Sequence, residues 1–141
     1  MDLHLANLDR FLAAVGPAID IVLFGDDLGM QSGPQMSPTM YREFFKPRHA
    51  RMWRRAKELA DVKVQLHCCG GVRELLPDLI ACGFDAIHPF EPPMNDIVAT
   101  KKQWGDRIAV AGGIDLKETL CMGSPENVEA EVRRMICEMG P

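Results

Sequence analysis

Residues 63–71 read K-V-Q-L-H-C-C-G-G, placing a histidine and two cysteines at the end of a short apolar run. Side chains on a strand alternate between faces with a period of two. His67 and Cys69 therefore point the same way if the extended conformation carries past Leu66, and Cys68 points the other way. An imidazole and a thiolate delivered side by side supply half of a tetrahedral zinc site. The same two residues also have an ordinary reading, because cysteine is among the most buried residue types and a histidine at a strand end is often simply hydrogen-bonded. A cleft and at least one more donor nearby must decide between them.

Other groups with chemical capacity fall at comparable places. Asp26 and Asp27 are adjacent carboxylates in the loop G-D-D-L-G, and adjacent side chains alternate, so at most one of them faces a common cleft. The other reading for the pair is loop fixing through hydrogen bonds to nearby backbone. Glu91, between Phe90 and Pro92, is a further candidate, either as a metal ligand or as a partner to an imidazole. His88 and Asp115 end other strand-like runs; Asp115, after Gly112-Gly113, is expected to shape its loop.

The elements that must carry these groups alternate in type. Leu5, Leu8, Leu12 and Val15 mark a helix closed by Gly16-Pro17, and residues 19–24 (I-D-I-V-L-F) form a strand expected to be covered on both faces. Ser37-Pro38 is a helix start, followed by a long helix with Phe45, Met52, Ala56 and Leu59 inward and Pro47 as a kink or break. Beyond the central strand, residues 72–82 read as a helix closed by Gly83, residues 85–88 as a strand and residues 96–104 as a helix. Residues 107–111 form a last strand, with a short helix over 116–120 and a second Ser-Pro start at Ser124-Pro125. Val128, Val132, Ile136 and Met139 are expected on the inner face of that final helix. One helix followed by four βα units predicts an α/β domain with a parallel sheet over residues 1–141. In such folds chemistry sits beyond the C-terminal strand ends, where Asp26, Asp27, His67, Cys69, His88, Glu91 and Asp115 all fall. A barrel and a flavodoxin-like open sheet both meet that description.

Composition excludes several classes. With 47% hydrophobic and 26% charged residues the 141-residue chain is an ordinary globular sequence. A net charge of -4 argues against a general nucleic-acid binder. No apolar run approaches the roughly 20 residues of a membrane span, and the polar start is no signal peptide. Five cysteines without a framework spacing fit free thiols in a reducing cytoplasm. The cationic run Lys46, Arg48, Arg51, Arg54, Arg55 and Lys57 wraps around its helix and reads as a solvated face.

In order, D-D-L-G-M-Q-S-G from Asp26, H-C-C-G-G from His67 and G-G-I-D from Gly112 resemble the uroporphyrinogen decarboxylase superfamily. The branch most similar is that of corrinoid-dependent, zinc-containing methyltransferases acting on thiols. The resemblance implies a (β/α)₈ TIM barrel of ~250 residues, of which this chain corresponds to about four βα units of the later half. It implies zinc held by His67 and Cys69, a corrinoid carried on a partner protein, and a small-molecule thiol as acceptor. Asp26, Asp27 and Glu91 are then the candidate catalytic groups. The branch's third protein ligand, a cysteine, lies on a final strand expected to begin after Pro141. Cys121 and Cys137 fall in helical segments and Cys82 in the core, so none is an obvious replacement. The alternative activity is uroporphyrinogen decarboxylation, metal-free and acting on a tetrapyrrole, as in porphyrin biosynthesis. A non-catalytic fragment or subunit is the third reading, and open sheet edges suggest a homodimer that closes the barrel.

Overall fold

The computed structural model describes residues 1–140. Helix α1 (Asp2–Val15) runs into a 3₁₀ turn at Gly16–Ala18 and then strand β1 (Ile21–Gly25). A small antiparallel pair, β2 (Gly29–Met30) and β3 (Gly33–Pro34), is followed by α2 (Pro38–Met40), a π turn at Tyr41–Phe45 and α3 (Lys46–Leu59). Then come β4 (Lys63–His67), α4 (Leu76–Cys82), β5 (Ala86–Phe90), α5 (Ile97–Trp104), β6 (Ala109–Gly112), a π turn at Leu116–Cys121 and α6 (Pro125–Met139).

The main sheet has the order β1-β4-β5-β6, and every pairing in it is parallel. This order separates the two fold types left open by the sequence. A doubly wound sheet reverses its strand order at a switch point and so carries helices on both faces. Here each crossover steps in the same direction, and right-handed crossovers then place every helix on one side. The chain is a four-unit arc of a (β/α)₈ barrel.

Burial alternates accordingly. Val22, Val64, Leu66 and Ile87 face the helices and are buried against Leu12, Trp53, Ala56 and Leu79. The register Gly25↔His67↔His88 places the opposite residues on the concave face. There Ile21 and Leu23 are 53% and 57% exposed. The expectation that β1 is covered on both faces is therefore corrected: its apolar run serves a helix layer on one side and the concave side on the other. Val22 is its one buried residue.

Local signals account for several helix ends. Ser37 accepts from Met40 N, Asp96 from Ala99 N, and Ser124 with Asn127 forms a reciprocal capping box. Gly83, with φ +92°, closes α4. Pro47 has no N–H to continue the ladder, and the chain accommodates it by a single π turn just before α3 rather than by a break. The helix expected from residue 72 begins only at Leu76: the carbonyls of Val72 and Arg73 first accept from Leu75 N and Leu76 N, three residues on, in a tighter turn. In α6 the buried residue is Met135, with Val128 and Met139 half-buried as expected, while Val132 and Ile136 are 38% and 67% exposed and lie off the inner face. The inward set of α3 is likewise led by Trp53 and Ala56, with Met52 and Leu59 only partly buried.

The cationic face of α3 is largely exposed, and four of its six cations are also ion-paired. Arg51 and Arg55 meet Asp2 and Asp9 of α1, Lys46 meets Asp78 of α4, and Lys57 meets Asp85. Burial opposes the charge on Asp78, but the hydrogen bonds from Lys46 and Arg42, both 2.8 Å, hold its carboxyl below the usual range.

Two buried groups between α3 and α4 make stability fall in alkali. Burial pushes the Tyr41 phenol far above its ordinary 10.0 and raises the Cys82 thiol above 9.0. Both stay protonated in the native chain while the unfolded chain releases its protons. Their contribution is full below the ordinary values and is lost as pH rises through them toward the raised native ones. Each group adds a slope of up to ~1.4 kcal/mol per pH unit. Denaturant midpoints measured from pH 8 to 11 are expected to fall, and to fall less steeply in Tyr41→Phe. Equal slopes in the two proteins would refute the assignment.

Candidate metal centre

Three loops at the C-terminal ends of β1, β4 and β5 build the site. β4 delivers His67, and its alternation carries past the strand end so that Cys69 Sγ lies 3.4 Å from His67 Nε2. Cys68 turns inward, is fully buried, and accepts the Leu28 N–H at 3.3 Å. The loop after β1 brings Asp27 to the same place: its Oδ1 is 4.0 Å from His67 Nε2 and accepts the Cys69 N–H at 2.8 Å. One donor atom each from Asp27, His67 and Cys69 lie within 4.8 Å of one another.

The two loops touch backbone to backbone. The Asp26 N–H donates to His67 O at 3.0 Å and the Gly71 N–H to Met30 O at 2.8 Å. A Cβ on Gly70, whose φ is +80°, would lie 2.4 Å from Gly29 C, so the crossing requires glycine. From below, buried Asn95 donates to Gly70 O at 3.0 Å and accepts the Val72 N–H at 3.1 Å. Asn95 thus fixes the turn after the paired donors. It carries no sequence signal of its own, since an asparagine after Pro92-Pro93-Met94 reads as a turn residue.

The remaining candidates fall around this cluster. Asp26 points to the other side of its loop, where its Oδ2 lies 3.0 Å from His49 Nε2. His88 shares the concave face with His67, their ring centroids 5.5 Å apart. Glu91 stands outside the three-group cluster but close enough to act on Cys69. Asp115 caps the following turn by accepting from Lys117 N and Glu118 N. Cys121 and Cys137 are exposed, and Cys82 is buried.

The electrostatics favour a cation. Partial burial, then the Asp27 charge and its hydrogen bond, then Glu91, hold the Cys69 thiol above its ordinary value. Two carboxylates that keep a thiol protonated are the same groups that make a divalent ion welcome there. Nitrogen, sulfur and oxygen are all donor types that zinc accepts. Side-chain exposures of 37% for His67 and 57% for Asp27 open the cluster to a small molecule. No helix among the described residues is long and apolar enough to cross a membrane.

Comparison with known proteins adds three findings. The family profile described as uroporphyrinogen decarboxylase (URO-D) matches residues 6–140. The chain is 31% identical over 121 residues to a methylcobamide:CoM methyltransferase of Methanosarcina barkeri, covering 86% of this chain and 34% of that protein. It is 29% identical over 107 residues to a methylated-thiol–coenzyme M methyltransferase of Methanosarcina mazei, covering 76% of this chain and 27% of that protein. The chain thus spans about a third of the length of these relatives. Among solved structures, a methyltransferase from Methanosarcina mazei superposes with a TM-score of 0.74 at 23% identity, covering 97% of this chain and 38% of that one. That likeness concerns the fold.

Proposed function

The chain belongs to the uroporphyrinogen decarboxylase (URO-D) family, and from that premise we propose that it carries the metal centre of a zinc-dependent methyltransferase moving a methyl group from a methyl-corrinoid to a thiol. The observation that carries this reading is the convergence of His67, Cys69 and Asp27 at the strand ends. Metal-free decarboxylation of a tetrapyrrole has no use for a thiol and an imidazole 3.4 Å apart. The names of the relatives, which speak of methylcobamide, methylated thiols and coenzyme M, support the same class of donor and acceptor. A corrinoid-carrying protein is the implied partner.

Bound zinc would supply the Lewis acidity that keeps an acceptor thiol deprotonated at neutral pH. His67 and Cys69 would hold it from β4, with Asp27 as a further donor from the loop after β1. The Cys69 N–H bond to Asp27 Oδ1 holds that carboxylate beside the pair. Glu91 would add negative charge beside Cys69 without entering the cluster.

Titration with Co²⁺, a spectroscopic stand-in for zinc, tests the centre. One equivalent per chain with a sulfur-to-cobalt absorption is expected, followed by methylation of a simple thiol when the zinc form is given methylcobalamin. Absence of metal uptake by the folded protein would sink this reading in favour of the metal-free decarboxylase. Uptake without methyl transfer would assign the chain a metal-binding but non-catalytic part of the barrel.

A further inference from the structure

A second polar chain lies behind the metal centre, built from residues that reading does not use. Asp26 Oδ2 is 3.0 Å from His49 Nε2, and His49 Nδ1 is 2.9 Å from the hydroxyl of Tyr41, which is fully buried. The His49 side chain, on α3, is 12% exposed. Its ring lies flat on Trp53, with centroids 4.9 Å apart and planes 7° from parallel. The ring is therefore held by packing on one side and by hydrogen bonds at both nitrogens.

The direction of the hydrogen bonds follows from the deepest member. Desolvation keeps Tyr41 a neutral phenol. Cys82, 3.8 Å from the phenol oxygen, has the Asp78 carbonyl as an acceptor at 3.2 Å, so the Tyr41 O–H is free to donate to His49 Nδ1. His49 Nε2 then carries the ring proton and donates it to Asp26. Every donor in the series points toward the β1 loop.

We propose that His49 is the positioning residue for the Asp27 arm of the metal centre. By holding Asp26 on the helix side of the loop, it keeps the adjacent Asp27 turned toward His67 and Cys69. The inference rests on the metal-centre reading above. Its physical content is the alternation of adjacent side chains: with Asp26 fixed to α3 and its N–H fixed to His67 O, the next side chain leaves the backbone on the concave side. Without the anchor, Asp26 is free to rotate into solvent, and Asp27 is held by the Cys69 N–H bond alone.

Two variants of His49 test this. His49→Phe keeps the stack on Trp53 and removes both hydrogen bonds; His49→Gln puts an amide N–H where Nε2 stands. Loss of such an outer partner typically weakens a metal site about 10–100-fold. The expected result is a Co²⁺ affinity lowered about tenfold or more in His49→Phe and largely restored in His49→Gln. The Cys69 amide, which donates to Asp27, should exchange its hydrogen faster in His49→Phe and at the native rate in His49→Gln, with or without metal. A Cys69 amide equally protected in His49→Phe and the native protein would overturn the proposal, as would a glutamine variant no better than the phenylalanine one. A native protein that takes up no cobalt would refute the metal centre instead, and the amide measurement would then decide the positioning role alone.

Discussion

Cys69→Ser is expected to weaken cobalt or zinc binding by a factor on the order of 100 or more, above the range for outer partners, and to abolish the sulfur-to-cobalt absorption. His67→Ala should weaken it as strongly while leaving a sulfur band at high metal concentration. The argument is one of donor count. A three-donor centre that loses its thiolate keeps one imidazole and one carboxylate, and two monodentate groups rarely retain a transition metal at micromolar concentration. The serine variant keeps the Cys69 backbone N–H bond to Asp27, so the loop geometry survives and the loss reports on sulfur alone. Full-affinity binding in Cys69→Ser, measured by competition with a chromophoric chelator, would remove Cys69 from the centre.

Gly70→Ala should be the most damaging single-methyl change in the chain. Alanine at φ +80° carries a left-handed penalty of ~1–2 kcal/mol. Its Cβ would in addition lie 2.4 Å from Gly29 C and 2.6 Å from Met30 N, both backbone atoms that cannot swing aside. Separating the two loops breaks the Gly71-to-Met30 bond and strains the Asn95 clamp below. The combined loss is expected to exceed about 3 kcal/mol. Gly25→Ala is the control, because nothing lies within 4 Å of a Cβ there and its backbone conformation suits any residue. Chemical denaturation of the two variants should separate them widely; matching midpoints would mean that the loop crossing is not tight.

The parts of this fold legible in the sequence are those governed by residues close together in the chain. Ser37, Asp96 and Ser124 cap helices through bonds to residues three positions on, so their neighbours announce them. His67 and Cys69 were legible as a pair because strand alternation is a two-residue rule. The inner face of α6 was not. Apolar residues at 128, 132 and 136 look like a stripe, yet four residues turn a helix through about 400°, so such a row drifts around the axis. Val128 and Met139, two of the four residues expected inward, are half-buried and Met135 is buried, while Val132 and Ile136 lie outward. The clamp of Asn95 on Val72 spans 23 residues, and the link from His49 to Asp26 spans the same separation. The face of the adjacent aspartates was undecidable for that reason: alternation says that they diverge, and only bonds to distant residues, Asp26 to His49 and Asp27 to the Cys69 N–H, say which way.

Asp27 and the His67–Cys69 pair come from different strands, yet their loops are clasped by the Asp26-to-His67, Leu28-to-Cys68, Cys69-to-Asp27 and Gly71-to-Met30 bonds. Neither loop can fray while the other stays closed. Local opening of the donor set is therefore a single cooperative event rather than the sum of independent ones. The residence time of an ion bound as proposed would be governed by that shared opening, and a perturbation along the clasp would reach all three donors at once.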